Sequence, residues 1–151
     1  MSRCKGFTLI ELMVVLLILG ITLSLAWPRL DRSYQRYALN SSAAQLAWTL
    51  REARSEAMLK GQTSSIRFYV SLNRYRSDEQ SYYLSKGIQY VGQPTFPSRI
   101  GDIPVCSFNA TGAPAGGGTV VLKNRLNDKK YIIVNPVLGK VRVSDKPPEN
   151  W

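Results

Sequence analysis

"RCKGFTLIELMVVLLILGITLSLAW" occupies residues 3–27, and how it is read decides how the rest of the chain is interpreted. From Phe7 to Trp27 it holds 21 residues with a single charge, Glu11. As a helix rising about 1.5 Å per residue it would reach about 31 Å, close to the thickness of bilayer hydrocarbon. This predicts a membrane-spanning helix, with Arg3 and Lys5 keeping the short N-terminal side in the cytoplasm by the positive-inside tendency. The competing reading is an ordinary secretory signal peptide. Against it stand an apolar run longer than the usual signal core and an acid inside that run. A carboxylate among apolar side chains needs a partner, and no cation within the run supplies one.

Pro28 follows Trp27 and lacks the amide that a helix ladder uses, so a kink or local break is expected there. Beyond it, "LNSSAAQLAWTLREARSEAMLKG" (39–61) places Leu39, Ala43, Leu46, Leu50, Ala53 and Ala57 at alternating spacings of four and three. That is one face of an amphipathic helix, and its small residues suit close packing against a sheet. Glu56 and Lys60 stand four residues apart in the favourable order, and Gly61 is a natural stop.

After Gly61 the period shortens. "TSSIRFYV", "SYYLS", "GIQYVG", "PVCSF", "GGTVVLK", "KYIIVN" and "GKVRVS" are short segments rich in β-branched or aromatic residues, each bounded by turn formers, which predicts an antiparallel β region. "NATGAPAGGG" (109–118) is read as a flexible loop and not a phosphate loop, since neither a helix pattern nor a Lys-Ser/Thr pair follows. The closing "SDKPPENW" is read as an exposed, extended tail. Cys4 and Cys106 fall on opposite sides of the apolar run, which argues against a disulfide between them; Cys106 in "IPVCSF" is expected as a small buried residue.

The 151 residues suffice for one compact domain, with a net charge of +10 and no histidine. Histidine-based zinc and general-base chemistry is thereby removed, and no paired nucleophile and base stands out, so an enzyme is not expected and no cofactor or metal is called for. Positive charge concentrates between residues 123 and 146, where Lys123, Arg125, Lys129, Lys130, Lys140, Arg142 and Lys146 face only Asp128 and Asp145. Such a segment suits phosphate contacts with salt-sensitive DNA binding, or else a solvated face. Strand alternation would set Lys140 and Arg142 on one face and Val141 and Val143 on the other. Trp151 and nearby tyrosines offer stacking surfaces for a single strand.

The segment "KGFTLIELMVVLLILGI" closely resembles the class III signal of type IV pilins and pseudopilins. The resemblance implies that a prepilin peptidase cuts after Gly6 and methylates Phe7. It also implies that Glu11, fifth in the mature chain, pairs with the terminal amine of a neighbouring subunit. "LREARSEAMLKGQ", "LSKGIQY", "FNATGAPAGGGTVVLKN" and "GKVRV" are similar to the GspH/FimT branch of minor pilins, over about residues 3–144. Its implied fold is α+β: a long N-terminal helix, half transmembrane and half amphipathic, packed on an antiparallel β-sandwich-like head. The expected divisions are a leader (1–6), a transmembrane or filament-core helix (7–28), an amphipathic helix (29–61), a β head (62–144) and a tail (145–151). FimT-type DNA-binding minor pilins carry a glycine, arginine, any residue, arginine motif. Gly139, Lys140, Val141 and Arg142 match it with lysine at one arginine position, which loses the planar fork of donors. The resulting expectation is a minor pilin in the inner membrane and then in a pilus or pseudopilus. It would capture DNA in natural transformation through Lys140 and Arg142, aided by the other five cations. The alternative is a purely structural pilin or type II secretion pseudopilin, with other pilins as its partners.

Overall fold

In the computed structural model the residues described are 8–78 and 80–148, the side chains of 25–29 excepted. The chain divides into two compact units, Met1–Tyr34 and Gln35–Trp151. One helix, α1 (Leu9–Lys60, 52 residues), runs through both, and its helical assignment continues across Pro28.

In the first unit the side chains from Leu9 to Leu23 are exposed, Leu9 at 77% and Leu23 at 67%. The hydroxyls there turn back on the helix. Thr22 Oγ1 donates to the carbonyls of Ile18 and Leu19, and Ser24 Oγ to that of Ile21. Crossing a bilayer takes roughly 20 consecutive, predominantly apolar residues. Among the described residues no helix is long and apolar enough to do so. Glu11 stands near the start of α1, and past Leu30 the helix meets Asp31 and Arg32. The expected transmembrane half is therefore corrected, and the single-pass inner-membrane localisation with it. An apolar helix that leads into an α+β head is what stands.

In the second unit the stripe expected from spacing is the core face of α1. Leu39, Ala43, Leu46, Leu50, Ala53 and Ala57 are all buried, joined by Ala38 and Ala47. Five alanines on that face let the helix axis approach the sheets closely, while the leucines fill the space between. Each fully buried leucine contributes about 1.5–3 kcal/mol. The helix ends at Lys60, which pairs with Glu56 one turn earlier, and Gly61 takes a φ of 64° to leave the axis.

The strands are β1 (Ser64–Tyr69), β2 (Arg74–Arg76), β3 (Ser81–Tyr83), β4 (Gln89–Tyr90), β5 (Arg99–Ile100), β6 (Ile103–Phe108), β7 (Gly118–Lys123), β8 (Lys129–Val134) and β9 (Val141–Ser144). Two antiparallel sheets result, in the orders β3-β2-β1-β6-β5 and β4-β7-β8-β9. Alternation sends Ile66 and Phe68 of β1, Tyr75 of β2, and Cys106 and Phe108 of β6 into the core from the first sheet. Val120, Leu122, Ile132, Val134 and Val141 enter it from the second. Phe68 stacks on Phe96 and Tyr75 on Tyr82, with ring centroids 5.4 and 5.3 Å apart. The pattern of β-branched and aromatic residues missed β2 and β5, whose sequences Arg-Tyr-Arg and Arg-Ile carry too few apolar residues to show a period.

The segment 109–118 is not the flexible loop expected from its composition. Asn109 Oδ1 accepts from the amides of Thr111 and Ala113 and from the Thr111 hydroxyl, and the Gly112 amide closes on the Asn109 carbonyl. The Arg54 Nε of α1 donates to the Gly112 carbonyl at 2.9 Å. Its glycines are places of close approach: a Cβ on Gly117 would meet Pro136 at 2.8 Å, and one on Gly118 the Phe96 ring at 2.5 Å. Gly139, in the β8–β9 turn, has a φ of 63°, and a Cβ there would lie 2.6 Å from the Gly112 carbonyl oxygen. Thus loop, turn and helix are locked together. Gly139→Ala should destabilise the fold by at least about 1 kcal/mol from the left-handed backbone alone. Thermal unfolding followed by circular dichroism should show a midpoint several degrees lower; an unchanged midpoint would mean that the turn shifts away freely.

Candidate functional site

Glu11 acquires a partner within its own chain. The backbone amide and the hydroxyl of Thr8 donate to Glu11 Oε2 at 3.1 and 3.0 Å, and the Glu11 amide donates to Thr8 Oγ1 at 3.3 Å. This is a capping box, in which the first residue of a Thr-x-x-Glu run and its acid satisfy each other's free amides at the helix start. The spacing of Thr8 and Glu11 was visible in the sequence, but a reading focused on membrane span passed over it. The Thr8 amide, and secondarily its hydroxyl, hold the Glu11 carboxyl below its ordinary range. Both bonds fall on Oε2, so Oε1 accepts from no described residue. Gly6 and Phe7, the expected cleavage and methylation residues, lie outside the described residues, as do Cys4 and Trp151.

The cations of residues 123–146 do not converge. Tyr131 lies opposite Ser144 and Val134 opposite Val141, so Lys129, Lys130 and Lys146 stand at one end of the β8–β9 ladder and Lys140 at the other. About five residues of strand separate Lys130 from the level of Lys140, or about 16 Å. That exceeds the screening length at physiological salt, about 8 Å. Lys130 is neutralised by Asp145, and Asp128 is held by Asn124 and faces Arg36. Lys123 and Lys129 are direct cross-strand neighbours, a like-charge pair that costs stability. Arg125 is exposed in the β7–β8 turn, its Nε beside Gly87. Lys140 precedes β9 and its carbonyl accepts from the Asn135 amide; Lys140 and Arg142 are both exposed, on either side of buried Val141. Arg142 is exposed opposite Ile133, Val141 is buried, and Val143 on the face of Val141 remains 39% exposed. The expected single basic patch is therefore corrected to two groups, Lys123, Arg125, Lys129, Lys130 and Lys146 toward the β7–β8 turn and Lys140 with Arg142 toward the β8–β9 turn. Gly139, the first residue of the matched motif, is accounted for by its contact with Gly112.

Cys106 is a free thiol, 1% exposed on β6, and burial pushes its pKa far above the ordinary thiol value, so it packs as an apolar residue. Among the described residues no three His, Cys, Asp or Glu side chains gather as metal ligands.

With the fold in view, two sequence profiles match the chain: the prokaryotic N-terminal methylation motif over residues 1–27, and the type II transport protein GspH over residues 42–138. The second alone spans more than half of the chain. The chain belongs to the GspH family of minor pilins and pseudopilins. Solved structures agree in fold. The minor pseudopilin EpsH from the type 2 secretion system of Vibrio cholerae superimposes with a TM-score of 0.56 at 16% identity, covering 70% of this chain and 95% of that one. The type IV minor pilin FimU of Pseudomonas aeruginosa gives 0.56 at 14% identity, covering 74% and 90%. A comparison with the curated proteins gives no match. The family is not enzymatic, and this GspH-family chain carries the prepilin methylation motif at its start.

The cap at Glu11 has a pH signature. A carboxyl whose folded pKa is lowered stabilises the helix start above the ordinary glutamate pKa, about 4.3, and loses that effect as pH falls through the lower folded value. By NMR on the full chain in neutral detergent, the Thr8 amide shift should titrate with a midpoint below that of an unperturbed glutamate. Thr8→Val removes the hydroxyl bond and should move that midpoint upward. An identical midpoint in the variant would show that the hydroxyl does not hold the carboxylate.

Proposed function

We propose that this chain is a structural minor subunit of a type IV pilus or a type II secretion pseudopilus, held in its filament by the first part of α1. The observation that carries this reading is the helix from Leu9 to Leu23, whose apolar side chains are exposed on every side. Apolar surface of that extent is unfavourable in water, and helices of like subunits offer it a matching cover. The similarity in fold to the pseudopilin EpsH and the minor pilin FimU supports the same role. Processing belongs to the proposal: a prepilin peptidase removes residues 1–6 after Gly6 and methylates Phe7. Glu11 then serves two partners, with Oε2 capping its own helix through Thr8 and Oε1 open to the terminal amine of a neighbouring subunit. DNA capture through Lys140 and Arg142 is the less supported reading, because the cations around them are spread along the ladder or already paired.

Two variants of the full chain, expressed in cells that assemble the filament, test this. Glu11→Ala should be processed normally yet largely excluded from sheared filaments; incorporation at the wild-type level would show that the amine pairing is dispensable. Gly6→Leu should accumulate with residues 1–6 attached, read by intact mass, and normal removal of the leader in that variant would sink the peptidase assignment.

A further inference from the structure

The outer face of the first sheet gathers charge that the C-terminal segment disperses. On β1 the half-buried Arg67 and Tyr69 point away from the core. Arg76 lies directly opposite Arg67, and Arg74 lies opposite Tyr69 on one side and Tyr83 on the other. Residues directly opposed across strands share a face, so Arg67, Arg74 and Arg76 form one group interleaved with Tyr69 and Tyr83. Arg67 and Arg76 are a like-charge pair about 5 Å apart, with Arg74 one diagonal away at about 7–8 Å. Among the described residues none of the three forms an ion pair. Asp78, two residues past Arg76, is occupied by the amide and hydroxyl of Ser65. The Arg74 guanidinium carbon lies over the Tyr69 ring, 4.5 Å from its centre. The Nε atoms of Arg67 and Arg74 are buried without a hydrogen-bond partner. Tyr83 is 66% exposed beside them.

Three guanidinium groups with no ion-pair partner among the described residues, within one or two strand spacings, repel each other, and an anion with closely repeated charges relieves that repulsion. Planar forks suit phosphate oxygens, and an exposed ring beside them suits a base face. We propose that this face binds a single-stranded nucleic acid, with phosphates on Arg67, Arg74 and Arg76 and a base stacked on Tyr83. The site is separate from Lys140 and Arg142 and does not rest on the filament role, so its failure would leave that role standing.

The test is fluorescence anisotropy of a labelled oligothymidylate of about 12 nucleotides, within the usual span of a single-strand site. It is titrated with the full-length chain in neutral detergent across salt concentrations. Arg76→Ala is the primary variant because its side chain is exposed, and Arg67→Ala is the second. Each should weaken binding and lower the log–log salt slope by about 0.7. Tyr83→Ala should weaken binding by about fivefold or more while leaving the slope unchanged. Polyglutamate of matched charge should bind more weakly and ignore Tyr83→Ala. The proposal is overturned by absence of binding at low salt, by wild-type affinity in both arginine variants, or by loss confined to Lys140→Ala and Arg142→Ala. Polyglutamate binding as tightly as the oligonucleotide would overturn it in favour of an acidic protein partner.

Discussion

The close approach of one helix to two sheets governs the head. From Ala38 to Ala57 the buried stripe of α1 alternates small and branched side chains. The inner faces of both sheets meet it with Ile66, Phe68, Phe108, Val120, Leu122 and Ile132. The alanines set how near the backbone can come, and the polar ties follow from that distance. Arg51 reaches the Val141 carbonyl at 3.0 Å and Arg54 the Gly112 carbonyl at 2.9 Å because their helix is held close enough. Larger residues at the alanine positions would separate those groups. The arginines would then lose bonds to otherwise unmet carbonyls, and the glycine contacts at 112 and 139 would open.

Legibility in the sequence followed the strength of each periodic signal. The stripe at Leu39, Ala43, Leu46, Leu50, Ala53 and Ala57 could be read from spacing alone, since every position reports the same face. The longer strands β1, β6, β7 and β8 could be read from β-branched and aromatic content. The short β2 and β5 could not, since two or three residues cannot display a period and their arginines look like loop. Composition misled at 109–118, where glycine, alanine and proline suggested freedom. The same small residues instead permit contact with Pro136 and Phe96. At the N-terminus, hydropathy favoured a membrane span, but among the described residues no helix is long and apolar enough to make one.

The candidate sites show a similar division. Glu11 stood out in the sequence as an anomaly, but its first partner is Thr8, a local contact that a search for distant cations overlooks. The basic residues between 123 and 146 looked like a single feature because they are neighbours in the chain. Antiparallel pairing spreads them over both ends of a ladder. Conversely, Arg67 and Arg76 lie nine positions apart and show no sequence cluster, yet register places them side by side. Charge proximity in a β protein is thus a property of pairing, and it becomes visible only when the ladder is known.

The bond from Arg51 to Val141 joins residues 90 positions apart. Closing so long a connection delays completion of the core until the last strand is available, because distant contacts form late. A ribosome releases the chain from its N-terminus, so the alanine-leucine stripe emerges well before β9 exists to cover its part of it. During that interval the nascent chain carries two uncovered apolar helix surfaces, one destined for its own sheets and the other exposed even in the finished fold. The order of synthesis therefore makes the young chain dependent on protection from aggregation until its C-terminal strand arrives.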